Sequence, residues 1–150
     1  MHLLKKIILR PHDSMKMAIE ALNYNPLPDV KIAKGIVLVA DEHDALIGTI
    51  TDGDIRRALI SKYNLNSHLL DFMCTNPSCA IEGDNKQEIL EKMKSLGIIH
   101  MPILNSLGQI IKLETLGQLL TNKKHDNTVF LMAGGFGKRL KPLTDKLPKP

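Results

Sequence analysis

The sequence has no tryptophan, only three phenylalanines and two tyrosines, and only two cysteines among its 150 residues. So few rings exclude a base-stacking platform for single-stranded nucleic acid. They also leave the core to Ile, Leu, Val, Met and Ala. Cys74 and Cys79 are wrongly spaced for a zinc knuckle and have no second pair, so they read as two reduced thiols. His2, His12, His43, His68, His100 and His125 are scattered, and none reads as a metal ligand. No apolar run approaches the roughly 18 residues of a membrane helix. The opening MHLLKKIILRPHD has too short an apolar segment for a signal peptide and lacks a small-residue cleavage site. The expected place is the cytoplasm, with no membrane and no nucleic acid as partner.

What is present fits one ordinary domain, or two small ones sharing a core. The net charge of +4 is unevenly placed. Residues 1–122 carry 13 basic and 14 acidic side chains, whereas residues 123–150 carry 7 basic and 2 acidic. A cluster of cations in one short tail suits the phosphate oxygens of a small ligand. A nucleic-acid surface spreads its charge along a face.

The chain also repeats itself. IVLVADEHDALIGTITDGDIRRAL (36–59) matches HMPILNSLGQIIKLETLGQLLTNK (100–123) at an offset of 64, aligning Asp41 with Asn105, Ile47 with Ile111, Thr51 with Thr115 and Ile55 with Leu119. Each copy reads as strand, polar turn, strand, then a threonine opening a helix. In the first copy Thr51 or Asp52 caps a helix carrying Ile55, Ala58 and Leu59. Upstream, each copy has a short strand and an amphipathic helix. Asp13 or Ser14 caps the first, with Met15, Ala18, Ile19 and Leu22 as its apolar face. Asp84 or Asn85 caps the second, with Glu88 near the capping-box position and Ile89, Met93 and Leu96 as its stripe. The first copy carries about seven extra residues in the proline-marked stretch NPLPDVK (25–31). One such unit of roughly 50 residues buries too little surface to stand alone. The expected fold is therefore α/β in the α+β sense. Two β-α-β-β-α repeats pack as a pseudo-two-fold pair, with related clefts between them.

GIVLVADEHDALIGTITDGDIRRAL and LLDFMCTNP resemble a tandem pair of cystathionine-β-synthase-type (CBS) domains, a Bateman module, over about residues 1–122. The resemblance implies an adenine nucleotide (AMP, ADP or ATP) or S-adenosylmethionine as regulatory ligand. It also implies a homodimer formed through the CBS pairs. A hydroxyl and a carboxylate three residues apart at a strand-to-helix junction suit such a ligand. The acid takes the ribose hydroxyls, and the threonine and helix N–H groups face the phosphate. Thr51 and Asp54 have that spacing. Lys34, Gly35 and Ile36 would face the base, and Arg56 and Arg57 follow within reach of a phosphate. The plainer reading is a helix cap with solvated arginines, in a pair that only dimerises. In the second copy Gln118 replaces the acid. Loss of a charged acceptor weakens ribose binding by roughly 1.5–3 kcal/mol, so one competent cleft is expected.

The tail TVFLMAGGFGKRLKPLTDKLPKP (128–150) resembles the signature of sugar-1-phosphate nucleotidyltransferases. That resemblance implies a Rossmann-like catalytic domain of which only the start is present. Gly134, Gly135 and Gly137 would shape a nucleoside-triphosphate loop, with Arg139 and Lys149 as catalytic cations. Mg²⁺ is expected only in the full-length enzyme, because its carboxylates would lie beyond Pro150. The division expected is CBS repeat 1 at 1–66, CBS repeat 2 at 67–122, a linker at 123–127 and the truncated segment at 128–150. The 150-residue chain is expected to be inactive by itself.

Overall fold

The structure, a computed structural model, describes residues 4–23 and 35–121. The proline-marked loop, the linker and the glycine-rich tail lie outside those residues. Each copy builds one three-stranded sheet. In the first, β1 (Ile8–Leu9) runs parallel to β2 (Ile36–Ala40), which pairs antiparallel with β3 (Leu46–Thr51). In the second, β4 (Ala80–Ile81), β5 (His100–Leu104) and β6 (Ile110–Thr115) repeat that order and those directions. Both sheets carry an irregularity at the matching point, Val39/Ala40 and Ile103/Leu104. With α1 (Met15–Leu22), α2 (Asp52–Ile60), α3 (Lys86–Leu96) and α4 (Leu116–Thr121), each copy is β-α-β-β-α. The expected fold class is the observed one.

Local chemistry explains the helix boundaries. Ser14 caps α1, its hydroxyl accepting from the Met17 N–H. Asn85 caps α3 by accepting from the Gln87 N–H at 2.9 Å. Asp84, the other candidate, instead accepts from the Ile81 N–H at 2.8 Å. Gly97 ends α3 at φ +65°, the left-handed conformation a helix stop favours. Two expected core positions differ. Leu59 and Leu96 are 47% and 53% exposed, because each sits one step off the buried stripe of a short helix. On α3 Leu90 lies on the buried side, and on α1 Ala21 joins the expected apolar face.

The cores are separate and unequal. Met15, Ala18, Val37, Val39, Ile50 and Ile55 belong to the first. Met93, Met101, Ile103 and Leu119 belong to the second. Leu69 and Met73, which the sequence division places in the second copy, pack into the first core. They arrive on the connecting segment, whose Cys74 exchanges two backbone hydrogen bonds with Thr49, at 3.0 and 2.9 Å. Gly48 permits this close crossing, since a Cβ there would come within 2.6 Å of the Met73 sulfur and 2.9 Å of the Cys74 carbonyl oxygen.

The two sheets join at their hairpin tips. Asp41 Oδ1 accepts from the His43 and Ala45 N–H groups at 2.8 and 2.9 Å. Asn105 Oδ1 accepts from Leu107 and Gln109 at 3.0 and 2.9 Å. Ala45 and Gln109 bridge the tips, flanked by Leu46 N–H to Gly108 O at 3.0 Å and Ile110 N–H to Asp44 O at 3.2 Å. Asp44 takes φ +63° where its counterpart Gly108 takes φ +76°. A short polar side chain tolerates that conformation. Arg10 bonds Asp44 and the Asp41 carbonyl, tying β1 to the first tip.

Candidate functional site: the cleft between the two copies

A cleft of about 390 Å³ opens where the starts of β2 and β5 approach each other. Ile36, Thr49 and Thr51 form one wall. Residues 97–100 and Pro102 form the other, and Cys74 with residues 76–78 closes the side. The first wall is held by register, because Ile36 pairs with Thr51 across β2 and β3. The second follows the stop of α3 at Gly97, which turns the chain directly into β5.

Thr51 and Asp54 are brought together. The Thr51 N–H and hydroxyl both donate to Asp54 Oδ2, at 2.8 and 2.6 Å. The other carboxylate oxygen accepts from Arg57. Thr51 faces the cleft, and Asp54 stands behind it with a side chain 14% exposed. Arg56 is exposed on α2 outside the lining. Gly35 adopts φ +85°, and nothing lies within 4 Å of a Cβ placed there. The positive φ favours glycine at this position, and the open space leaves its backbone accessible from outside. Lys34, Gly134, Gly135, Gly137, Arg139 and Lys149 lie outside the described residues.

The second copy reproduces the cap with a carboxamide. Gln118 Oε1 accepts from the Thr115 N–H and hydroxyl at 3.3 and 3.0 Å, and the Gln118 N–H returns a bond to Thr115 Oγ1 at 3.2 Å. A single amide oxygen has two lone pairs, enough for both bonds from Thr115. What the second copy lacks is the second carboxylate oxygen and its charge.

The sequence reading missed Thr49, the 74–78 turn and the 97–102 wall. Proline and glycine at Pro77 and Gly97 mark turns there, yet nothing local says which sheet those turns face. Histidines read as scattered are also brought together. His12 and His68 meet edge to face with centroids 5.6 Å apart, and His68 Nδ1 lies 2.7 Å from the His12 carbonyl oxygen. Both cysteines are free thiols; Cys74 is exposed, while burial pushes the Cys79 thiol up against the opposing charge of Lys92. Among the described residues no group of three or more His, Cys, Asp or Glu is arranged to hold a metal ion. No helix among them is long and apolar enough to cross a membrane.

The sequence profile of the CBS domain family matches residues 4–61. That stretch is the first copy, which is thus similar to a CBS domain. The CBS domains of a transcriptional regulator from Streptococcus pneumoniae superpose with a TM-score of 0.64 at 14% identity, covering 78% of this chain and 89% of that one. A CBS domain pair solved with 5′-methylthioadenosine and S-adenosyl-L-methionine gives 0.62 at 23% identity, covering 79% and 90%. The CBS protein CBSX2, solved with AMP, gives 0.61 at 21% identity, covering 76% and 84%. These likenesses extend the CBS architecture across both copies. An uncharacterized protein of Rickettsia prowazekii is 31% identical over 102 residues, or 67% of this chain. The chain spans about a third, 32%, of that protein's length.

Proposed function

We propose that this chain is the regulatory CBS pair of a sugar-1-phosphate nucleotidyltransferase and binds an adenine nucleotide in the cleft beside Thr51. The observation carrying the ligand reading is that cleft, walled by Ile36 and Thr51 of one copy and residues 97–102 of the other. Similar CBS structures were solved with AMP and with 5′-methylthioadenosine and S-adenosyl-L-methionine. In use, Asp54 would release Arg57 or share its outer oxygen to receive the ribose hydroxyls. Thr51 and the first N–H groups of α2 would face the 5′ end. A ligand spanning both walls fixes how the copies pack, and so biases an attached domain by differential affinity. Only the Thr51/Asp54 side is proposed to be competent, since Gln118 brings no charge to its counterpart.

The nucleotidyltransferase half of this reading rests on the tail motif alone, with Gly134, Gly135 and Gly137 as triphosphate loop and Arg139 and Lys149 as catalytic cations. Mg²⁺ would enter only with the carboxylates of a complete catalytic domain. In the full-length enzyme the reaction would be NTP plus sugar 1-phosphate giving NDP-sugar plus diphosphate. A homodimer through the CBS pairs and a cytoplasmic location complete the proposal.

A second reading is favoured by one observation. The Thr-x-x-Asp and Thr-x-x-Gln patterns both satisfy helix caps without any ligand. On that reading the module is purely structural and dimerises. Isothermal titration with AMP, ADP, ATP and S-adenosylmethionine separates the two. Saturable heat that Asp54→Ala weakens by tenfold or more supports ligand binding. Silence with all four, in a protein whose thermal transition is intact, leaves the structural module.

A further inference from the structure

The cleft is conspicuous for the charge it lacks. Among the described residues no Lys, Arg, Asp or Glu lines it. Its polar lining is Thr49, Thr51, Cys74, Asn76, Ser78 and His100, and the rest is Ile, Pro and Gly. The formal charges that follow Thr51 on α2 cancel: Asp52 and Asp54 against Arg56 and Arg57. Arg57, exposed outside the lining, is paired with Asp54. A triphosphate carries about three to four negative charges, and with no cation among the described lining residues only the Thr51 hydroxyl and the first α2 N–H groups could partner them. The volume, about 390 Å³, is also near the lower end of the roughly 300–1,000 Å³ range of ligand pockets.

We infer that the cleft reads the uncharged part of its ligand. The class it takes is a nucleoside, with the 5′ substituent left in solvent, and successive phosphates add no affinity. This rests on the ligand reading proposed above and narrows it, since AMP and ATP become equivalent to adenosine at this site. His100 is in the lining, so the comparison belongs near pH 8, above the ordinary histidine range.

Calorimetric titration of the full chain with adenosine, AMP and ATP tests it. The expected result is three dissociation constants within about threefold and little dependence on salt. ATP binding tenfold or more tighter than adenosine, with affinity falling steeply as salt rises, overturns the inference while leaving the ligand reading standing. If Lys34→Ala then abolishes that preference, the missing cation comes from the stretch preceding Gly35. No heat from any of the three overturns both.

Discussion

In the first copy Ile50 is fully buried opposite Val37, and Leu69 and Met73 of the connecting segment pack in the same cluster. At the corresponding place in the second copy stands Glu114, opposite Met101, only 5% exposed and paired with Lys112. Lys112 in turn replaces Gly48, the residue whose missing side chain lets Met73 cross. One backbone plan thus carries two closures. An apolar segment seals the first core, and an ion pair borders the second. Opposed residues on paired strands share a face. The exchange of Ile for Glu therefore changes the composition of the core without disturbing the ladder.

That contrast is most sharply broken by exchanging its residues. Ile50→Glu puts a carboxylate where Met73 leaves no room for a lysine partner. It should lower unfolding free energy by about 3–5 kcal/mol, the cost of an uncompensated buried charge. Glu114→Ile, at the matching position, should change stability by about 1 kcal/mol or less, or raise it, because a buried pair contributes little over a well-packed hydrophobe. Chemical denaturation of the two variants decides the matter, and equal losses would mean that the halves do not differ as described.

Gly48→Ala comes next. The added methyl meets a backbone carbonyl as well as the flexible methionine, so overpacking should cost about 1–3 kcal/mol. Hydrogen exchange should show the Cys74 amide losing protection before those of β2. A variant as stable as the parent, with Cys74 still protected, would show that this crossing is slack.

The caps permit a gentler comparison. Asp54→Gln copies the second copy's cap into the first and should cost under about 1 kcal/mol, whereas Asp54→Ala removes it and should cost about 1 kcal/mol. If the acid serves a ligand, Asp54→Gln keeps its melting temperature and still loses nucleotide heat. Retention of full binding would assign Asp54 to capping alone.

The smallest expected effect is one of pH. The Ala45 N–H, then that of His43, together with the charges of His43 and Arg10, hold Asp41 below the ordinary carboxylate value of 3.8, against partial desolvation. A folded-state pKa below the unfolded one means a contribution present above the unfolded value and lost as pH falls through the folded one. Acid should therefore loosen the 41–45 tip below about pH 4, while Asn105, which does not titrate, keeps the 105–109 tip closed. Amide exchange at Ala45 and Gln109 across that range reads the difference. Asp41→Asn should abolish it, and parallel loosening of both tips would show that the acid effect lies elsewhere.

Much of this was legible in the residues. The offset of 64 between Asp41 and Asn105 and between Thr51 and Thr115 located both hairpins and both caps, because a turn or a cap is made by groups three or four residues apart. Ser14 and Asn85 stood among the predicted caps for the same reason. Glu114 could not be read as buried, since a Lys-x-Glu alternation looks like a solvated face until its strand is paired with β5 and Glu114 falls opposite the buried Met101. The cleft was half legible. Ile36 and Thr51 were named, but Thr49, the turn at 74–78 and residues 97–102 were not.

The sequence by itself determined the duplication, the order of strands and helices in each copy, and the Thr-x-x-Asp and Thr-x-x-Gln caps. All depend on short-range bonds or on the periodicity of apolar residues, which neighbouring side chains specify. Only the tertiary structure decided that residues 97–102 face Thr51, that Leu69 and Met73 close the first core, and that His68 meets His12. Those contacts join residues roughly 20 to 55 positions apart. They are fixed by how the hairpin tips bridge at Ala45 and Gln109 and how the connecting segment crosses Gly48, geometry that no local stretch of the chain contains.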